Sequence, residues 1–453
     1  FVFGSSNVSR RTSCAMKVDV HLPSGDGYSV EVSPEMPVSE LKTVAQQHFQ
    51  CRLQLTAKGR QLDLTATLSE AGLRDGETMA AVVQLGKLAA TDRVFAWYGQ
   101  GADVVTWGDP QWGADSSHVQ KQLRNVQHIQ ATAGALVAIL ESGAVVAWGF
   151  AQYGGDSSQV QEQLRNVQHI QATKSAFAAI LESGAVVTWG NVLHGGDSSQ
   201  VQEQLTNVKH IQATDSSFAA ILESGAVVTW GDPEFGGDSS QVHEQLRNVQ
   251  CIQGTDAAFA AILDSGHVVT WGHARMGGDS SEVQEQMRNV QQIQATQHAF
   301  AAILECGAVV TWGGSKSGGD SRKVQEELRN VQHIQATRSA FAALLETGAV
   351  VTWGFAQYGG DSSQVQEQLR NVQHIQATGR AFAAILESGA VVTWGDPEEG
   401  GDSSQVQEQL RNVQHIQATD HAFAAILKSG AVVTWGHPEY GGDSSEVQGQ
   451  LLV

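Results

Sequence analysis

Basic residues are in short supply: 27 lysines and arginines stand against 47 aspartates and glutamates, a formal net charge of −20. Neutralising a phosphate backbone needs a basic face, so the balance excludes a nucleic-acid binder. Charge of both signs is sparse, at 16% of residues, below the roughly 25% usual for soluble domains. No uninterrupted apolar stretch approaches the roughly 20 residues that cross a bilayer, which excludes a helical membrane span. Cysteine is nearly absent. Cys14, Cys51, Cys251 and Cys306 share no Cys-x-x-Cys spacing, so neither a zinc ribbon nor a disulfide framework is indicated, and a reducing, intracellular setting, cytoplasmic or nuclear, is expected. Catalytic signatures are missing too. There is no Gly-x-Ser-x-Gly, P-loop or His-Glu-x-x-His, and no Gly-x-Gly-x-x-Gly between a strand and a helix, so no enzyme is expected and no cofactor or metal is called for. Residues 1–15 lack the apolar core of a signal peptide and read as a fragment or disordered leader. Asn7-Val8-Ser9 within them matches a glycosylation sequon.

What the chain has in abundance is repetition. Trp107, Trp148, Trp189, Trp230, Trp271, Trp312, Trp353, Trp394 and Trp435 are each separated by 41 residues, the mark of a tandem array. A typical unit starting at Gly154 reads GGDSSQVQEQLRNVQHIQATKSAFAAILESGAVVTWG, followed by four residues that change from unit to unit. HIQAT, AFAAIL and AVVTW are short β-branched, aromatic and small apolar runs set apart by turns such as Glu182-Ser183-Gly184, which predicts three strands per unit. The second run is apolar on both faces, with Phe177, Ala179 and Leu181 on one and Ala176, Ala178 and Ile180 on the other. Strands buried on both sides need cover on both sides, and in an array the neighbouring units supply it. DSSQVQEQLRNV fits either a short helix, through the spacing of Val160, Leu164 and Val167, or an edge strand.

Residues 88–108 supply a three-strand set with no preceding GGDSS, and residues 441–453 a final GGDSS segment with no strands after it. The array therefore has nine of each. The fold class is mainly β: nine 41-residue propeller-type units over 88–453, in a wide ring or an open spiral, preceded by a small α+β domain.

The order Trp-Gly, Gly-rich turn, V..L.nV..I, FaAiL-type strand and SGaVvtWG resembles the regulator of chromosome condensation repeat family. That resemblance implies a propeller of four-stranded blades and guanine-nucleotide exchange on a small GTPase. The unit here is shorter than the family's and lacks its Gly-Gly-x-His before the second strand. Some ubiquitin ligases carry the same repeats, so an accessory or substrate-recognition part of a ligase is a further implied reading.

Residues 16–84 follow another grammar. MKVDVHL and YSVEVS alternate around PSGDG as a hairpin, Val38, Leu41 and Ala45 share one side of a helix, and a last strand follows Asp75-Gly76. With TLSEAGLRDGET as its most specific stretch, the segment resembles the ubiquitin-like fold. Alignment of QLTAKGRQL puts Thr56 where ubiquitin's hydrophobic patch has its central isoleucine, and Arg60 where a chain-forming lysine stands. The resemblance implies an integral adaptor linked to ubiquitin pathways.

The remaining candidates are weighed against structural roles. His128, His169, His210, His333, His374 and His415 recur at one position but are expected to be spaced a unit apart, too far for a metal. The aspartates of GGDSS fit N-caps or Asx-turns, and each tryptophan fits a wedge between adjacent units. Two windows vary between units: the pair after Ala-Thr (Lys174-Ser175, Asp215-Ser216 and their equivalents) and the four residues after Trp-Gly. In an up-and-down arrangement both emerge on one face. The tips Trp112, Tyr153, His194, Phe235, Met276, Tyr358 and Tyr440 are the candidate partner-binding loop face of a non-enzymatic scaffold, and the acidic loops at Asp109, Asp232 and Asp396 point to a basic protein partner.

Overall fold

A computed structural model describes residues 16–21, 27–49, 53–57, 60–83, 87–91, 93–99 and 104–445. The leader, its sequon, Cys14, Cys51, most of the PSGDG turn and the tail from residue 446 lie outside the described residues. The chain divides into two compact units with a boundary between Leu85 and Gly86.

The first unit is α+β. Strands β1 (Met16–His21), β2 (Gly27–Val32), β3 (Leu53–Ala57), β4 (Arg60–Gln61) and β5 (Glu77–Val83) form one sheet in the order β2-β1-β5-β3-β4. Only β1 and β5 are parallel; the other pairings are antiparallel. Helix α1 (Val38–Phe49) buries Val38, Leu41 and Ala45 against Val18, Val20, Leu53 and Leu55, the side that the sequence spacing marked.

The second unit is a closed succession of nine three-stranded antiparallel sheets. In the third, strands Val167–Ala172, Ala176–Leu181 and Val186–Gly190 pair in sequence order. The middle strand serves both neighbours. Phe177 and Ala179 pack with Ala135, Val137 and Ile139 of the preceding sheet, while Ala176, Ala178 and Ile180 pack with Phe218 and Ala220 of the next. Alanines bring the sheets close, and one large side chain per sheet, Leu136 in the second and a phenylalanine in each of the others, fills the layer between them.

The first strand of every sheet lies against the first strands of both neighbours, and the cycle is complete, since Val413–Ala418 meets Lys87–Ala90. These nine strands are therefore innermost. The wide ring is what forms: Trp107 Nε1 of the first sheet donates to the Gly441 carbonyl at 3.3 Å, the bond that Trp189 makes to Gly154 at 2.9 Å inside the array.

Two expectations are corrected. The DSSQVQEQLRNV segment is neither helix nor fourth strand but a run of turns, so the units are three-stranded, not the four-stranded blades that the family resemblance implies. The physical reason is a side-chain latch. Ser157 Oγ donates to Gln161 Oε1 at 2.9 Å, and Gln161 Nε2 donates to the Val145 carbonyl at 3.1 Å. The third strand's open edge is thus partly satisfied by an amide side chain, and Leu164 is buried beneath the turns. The aspartate of GGDSS does form the Asx-turn, Asp156 Oδ1 accepting from Ser158 N at 2.9 Å.

The second correction concerns the histidines. They stand on the innermost strands of adjacent sheets, so the series borders one axial opening and is not spread a full unit width apart. Among the described residues no three His, Cys, Asp or Glu side chains form a metal site.

Candidate functional site

The face carrying both variable windows is built by short-range hydrogen bonding. After each Trp-Gly the chain makes one 3₁₀ turn, as at Pro233–Phe235. Asp232 accepts from Glu234 N at 3.0 Å and caps it, and Gly236 ends it at φ +92, a conformation that suits glycine. The turn is then tied to the other window: Thr214 Oγ1 donates to the Phe235 carbonyl at 3.0 Å, and Asp232 N to the Ser216 carbonyl at 3.0 Å. The same threonine bond recurs at Tyr153 and Tyr358. Conserved backbone geometry from unit to unit thus holds changing side chains in fixed positions.

All seven predicted tips, Trp112, Tyr153, His194, Phe235, Met276, Tyr358 and Tyr440, are half-buried. The structure brings several together. Trp112 lies 5.5 Å from Tyr153 and 5.8 Å from Phe150, ring centre to ring centre. Tyr358 packs on Phe355 at 5.1 Å, and Tyr440 on His437 and His421 at 4.4 and 4.6 Å. Arg93 reaches over Trp112 at 4.4 Å and Tyr440 at 5.0 Å, and Arg380 over Tyr358 at 5.0 Å, so these aromatic faces already hold cations. His194 Nδ1 meets Ser175 Oγ at 2.6 Å. His194, Phe235 and Met276 join none of these aromatic clusters. Sequence reasoning missed the exposed large apolar residues of this face, Phe150, Val192, Leu193 and Phe355. They occupy the first three positions of the same variable windows, and the choice of the last position as the tip passed over them.

Toward the axis, the residues following Ala-Thr surround a cavity of about 510 Å³. A belt of backbone bonds closes it from sheet to sheet: Lys174 N to the Asp215 carbonyl, Asp215 N to Asp256, Asp256 N to Gln297 and Gln297 N to Arg338, each at 3.0 Å. Lys174 pairs with Asp215 at 2.5 Å, and Arg338 pairs with Asp420. Burial and the neighbouring Asp215 push Asp256 up to about 7, and burial raises Asp215 against the pull of Lys174.

A raised acid favours the protonated folded state. The native chain binds more protons at Asp256 than the unfolded chain between pH 3.8 and about 7, so the stability this group contributes is lost as pH rises across that window. Asp256→Asn is expected to be less pH-sensitive, its melting temperature gaining on the wild type's from pH 3.8 to about 7 and running level with that gain above. A difference in melting temperature that does not change with pH would remove Asp256 from this role.

Comparison with known proteins does not show a family for this chain. No family model matches it and no curated protein is similar to it. Among solved structures, the ubiquitin-like domain of Plasmodium falciparum Dsk2 is similar over 15% of this chain and 97% of its own, at 25% identity and a TM-score of 0.15. The computationally designed Ika8 protein is similar over 69% of this chain and 96% of its own, at 13% identity and a TM-score of 0.36. The CRINKLY WD40 ectodomain of the Arabidopsis thaliana receptor kinase ACR4 is similar over 58% of this chain and 93% of its own, at 15% identity and a TM-score of 0.34. No helix among the described residues is long and apolar enough to cross a membrane.

Proposed function

We propose that the chain is a non-enzymatic interaction scaffold whose loop face binds a basic protein partner, with the ubiquitin-like unit as its link to ubiquitin pathways. The observation that carries this reading is the side-by-side setting of the two variable windows on one face, each variable side chain fixed by invariant threonine and backbone bonds. The bulk of the array repeats with little change while this face changes at every unit, and it offers aromatic anchors among carboxylates. The net charge of −20 favours a basic partner.

Trp112, Tyr153 and Tyr358 also pack on the unit cores, so truncating them mixes binding with stability. The cleaner variants are the exposed Leu193→Asp and Phe355→Asp, combined with Phe235→Ala. Partners crosslinked to the wild-type loop face are expected to lose about 1–3 kcal/mol of binding per anchor removed, with circular dichroism unchanged. Crosslinked partners that bind the combined variant as tightly as the wild type would end this reading. Accelerated nucleotide release from a small GTPase would replace it with exchange activity.

A further inference from the structure

Four residues before the threonine that follows each innermost strand, one position runs round the whole ring: Lys87, His128, His169, His210, Cys251, Gln292, His333, His374 and His415. The register makes them equivalent. Each is paired with the end of the middle strand, His169 with the penultimate Ile180 and Lys87 with the last residue, Tyr98. In the repeating sheets a bulge precedes this residue, and it turns the side chain out to solvent.

Ring closure joins the two ends of this series. Because Val413–Ala418 abuts Lys87–Ala90, seven basic positions follow one another without a break: His333, His374, His415, Lys87, His128, His169 and His210. Cys251 and Gln292 form the only gap. The members are near enough to act on one another. Burial first, and then the charges of Lys87 and His169, hold His128 below the usual imidazole range. Burial with His169 and Lys209 does the same for His210, and burial with His415 and His333 for His374.

The other charged groups at this end are Lys209 beside His210, the arginines of the turns before the innermost strands, such as Arg165 paired with Glu162, and the residues in the turns between the middle and third strands, from Glu141 and Glu182 to Glu387, with Asp264 in the fifth sheet and Lys428 in the last. Glu305 and Glu346 border a groove shared with His333, so that end of the arc is partly neutralised. The charges acting on His128, His210 and His374 are those of neighbouring lysine and histidine side chains, and at His128 a side-chain hydrogen bond with Gln130 pulls the other way. The middle-strand residues paired with these histidines are Ile139, Ile180, Ile221, Leu344, Ile385 and Ile426, which carry no charge.

We propose that this arc is a binding site for a compact polyanion, a short chain of phosphates being the simplest fit, occupied when the imidazoles take up protons. Each protonated ring offers N–H donors. Crowding of like charge opposes simultaneous protonation, and an anion of several charges lying across the arc relieves it. Binding therefore draws protons in. At neutral pH the imidazoles held below their usual range, His128, His210, His374 and His415, are uncharged, and the chain's acidity works against retention. The site is at the ring end opposite the variable loops and does not depend on the loop-face reading.

The test is calorimetric titration of the full chain with tripolyphosphate at about pH 5.5 and about pH 7.5. The variant combines His128→Gln, His169→Gln, His374→Gln and His415→Gln. Glutamine already occupies this register at Gln292, opposite Ile303, so the fold tolerates it, and circular dichroism checks that it does. Binding is expected to be about tenfold or more tighter at the lower pH, to take up protons, and to fall by about tenfold or more in the variant. No binding at the lower pH, or binding that the four substitutions leave intact, overturns the proposal. The loop-face variant is expected to bind tripolyphosphate like the wild type.

Discussion

Trp230→Ala is expected to destabilise the ring by about 3–5 kcal/mol. The indole is 5% exposed, stacks on Phe218 at 5.1 Å, and packs with Ala176, Ala178 and Ile180 of the preceding sheet. Its Nε1 donates to the Gly195 carbonyl at 3.0 Å. Truncation opens a void between two sheets and strands that carbonyl. The void cannot collapse easily, because Gly195 lies so close to Phe218 that a Cβ there would meet its ring at 2.6 Å. Trp230→Phe keeps much of the volume and loses the hydrogen bond, so its cost should be smaller by roughly the cavity contribution. Urea unfolding followed by tryptophan fluorescence measures both. A cost below about 1 kcal/mol for Trp230→Ala would mean that the sheets, stacked as nearest neighbours, are not held together by this layer.

The architecture was legible because the repeat magnifies weak signals. AFAAIL is ambiguous once, but nine copies in fixed phase with a tryptophan leave three strands as the consistent reading, and the two faces assigned to Phe177 and Ala178 are those that meet the two neighbours. The turn run after GGDSS was not legible. Val160 and Leu164 have helical spacing, and what stops a helix is a long-range bond from Gln161 to the Val145 carbonyl, which periodicity cannot show. Closure was undecided for the same reason: it depends on contacts such as Trp107 with Gly441, across 334 residues. Strand alternation puts the two variable windows at one end of the sheets, and hydrogen bonds from Thr214 and to the Ser216 carbonyl tie them together there. The exposed apolar members of that loop face were missed because exposure within a four-residue loop depends on the 3₁₀ turn, which directs the last side chain back toward the sheet and the first ones outward.

The seam between first and last sheets should respond differently from an interior boundary to the same mutation. A peptide chain crosses every other boundary; this one is held by side chains and hydrogen bonds alone. Trp107 stacks on Phe95 at 5.3 Å and donates to Gly441, and Arg93 spans from Trp112 to Tyr440. Trp107→Ala removes the layer and its bond together, so its thermodynamic cost should match that of Trp230→Ala, about 3–5 kcal/mol. Its kinetic signature should not match. With no covalent tether, opening the seam frees both flanks at once, and a loss of about 3 kcal/mol raises the open population by about a hundredfold. Hydrogen exchange should therefore accelerate by about that factor in Val94–Tyr98 and, across the seam, in Ala422–Leu427, with Ala258–Leu263 on the far side of the ring unchanged. If Ala422–Leu427 keeps its wild-type exchange rate in Trp107→Ala, the two ends do not protect each other in solution, and the array there is an open spiral whose terminal sheets stand apart.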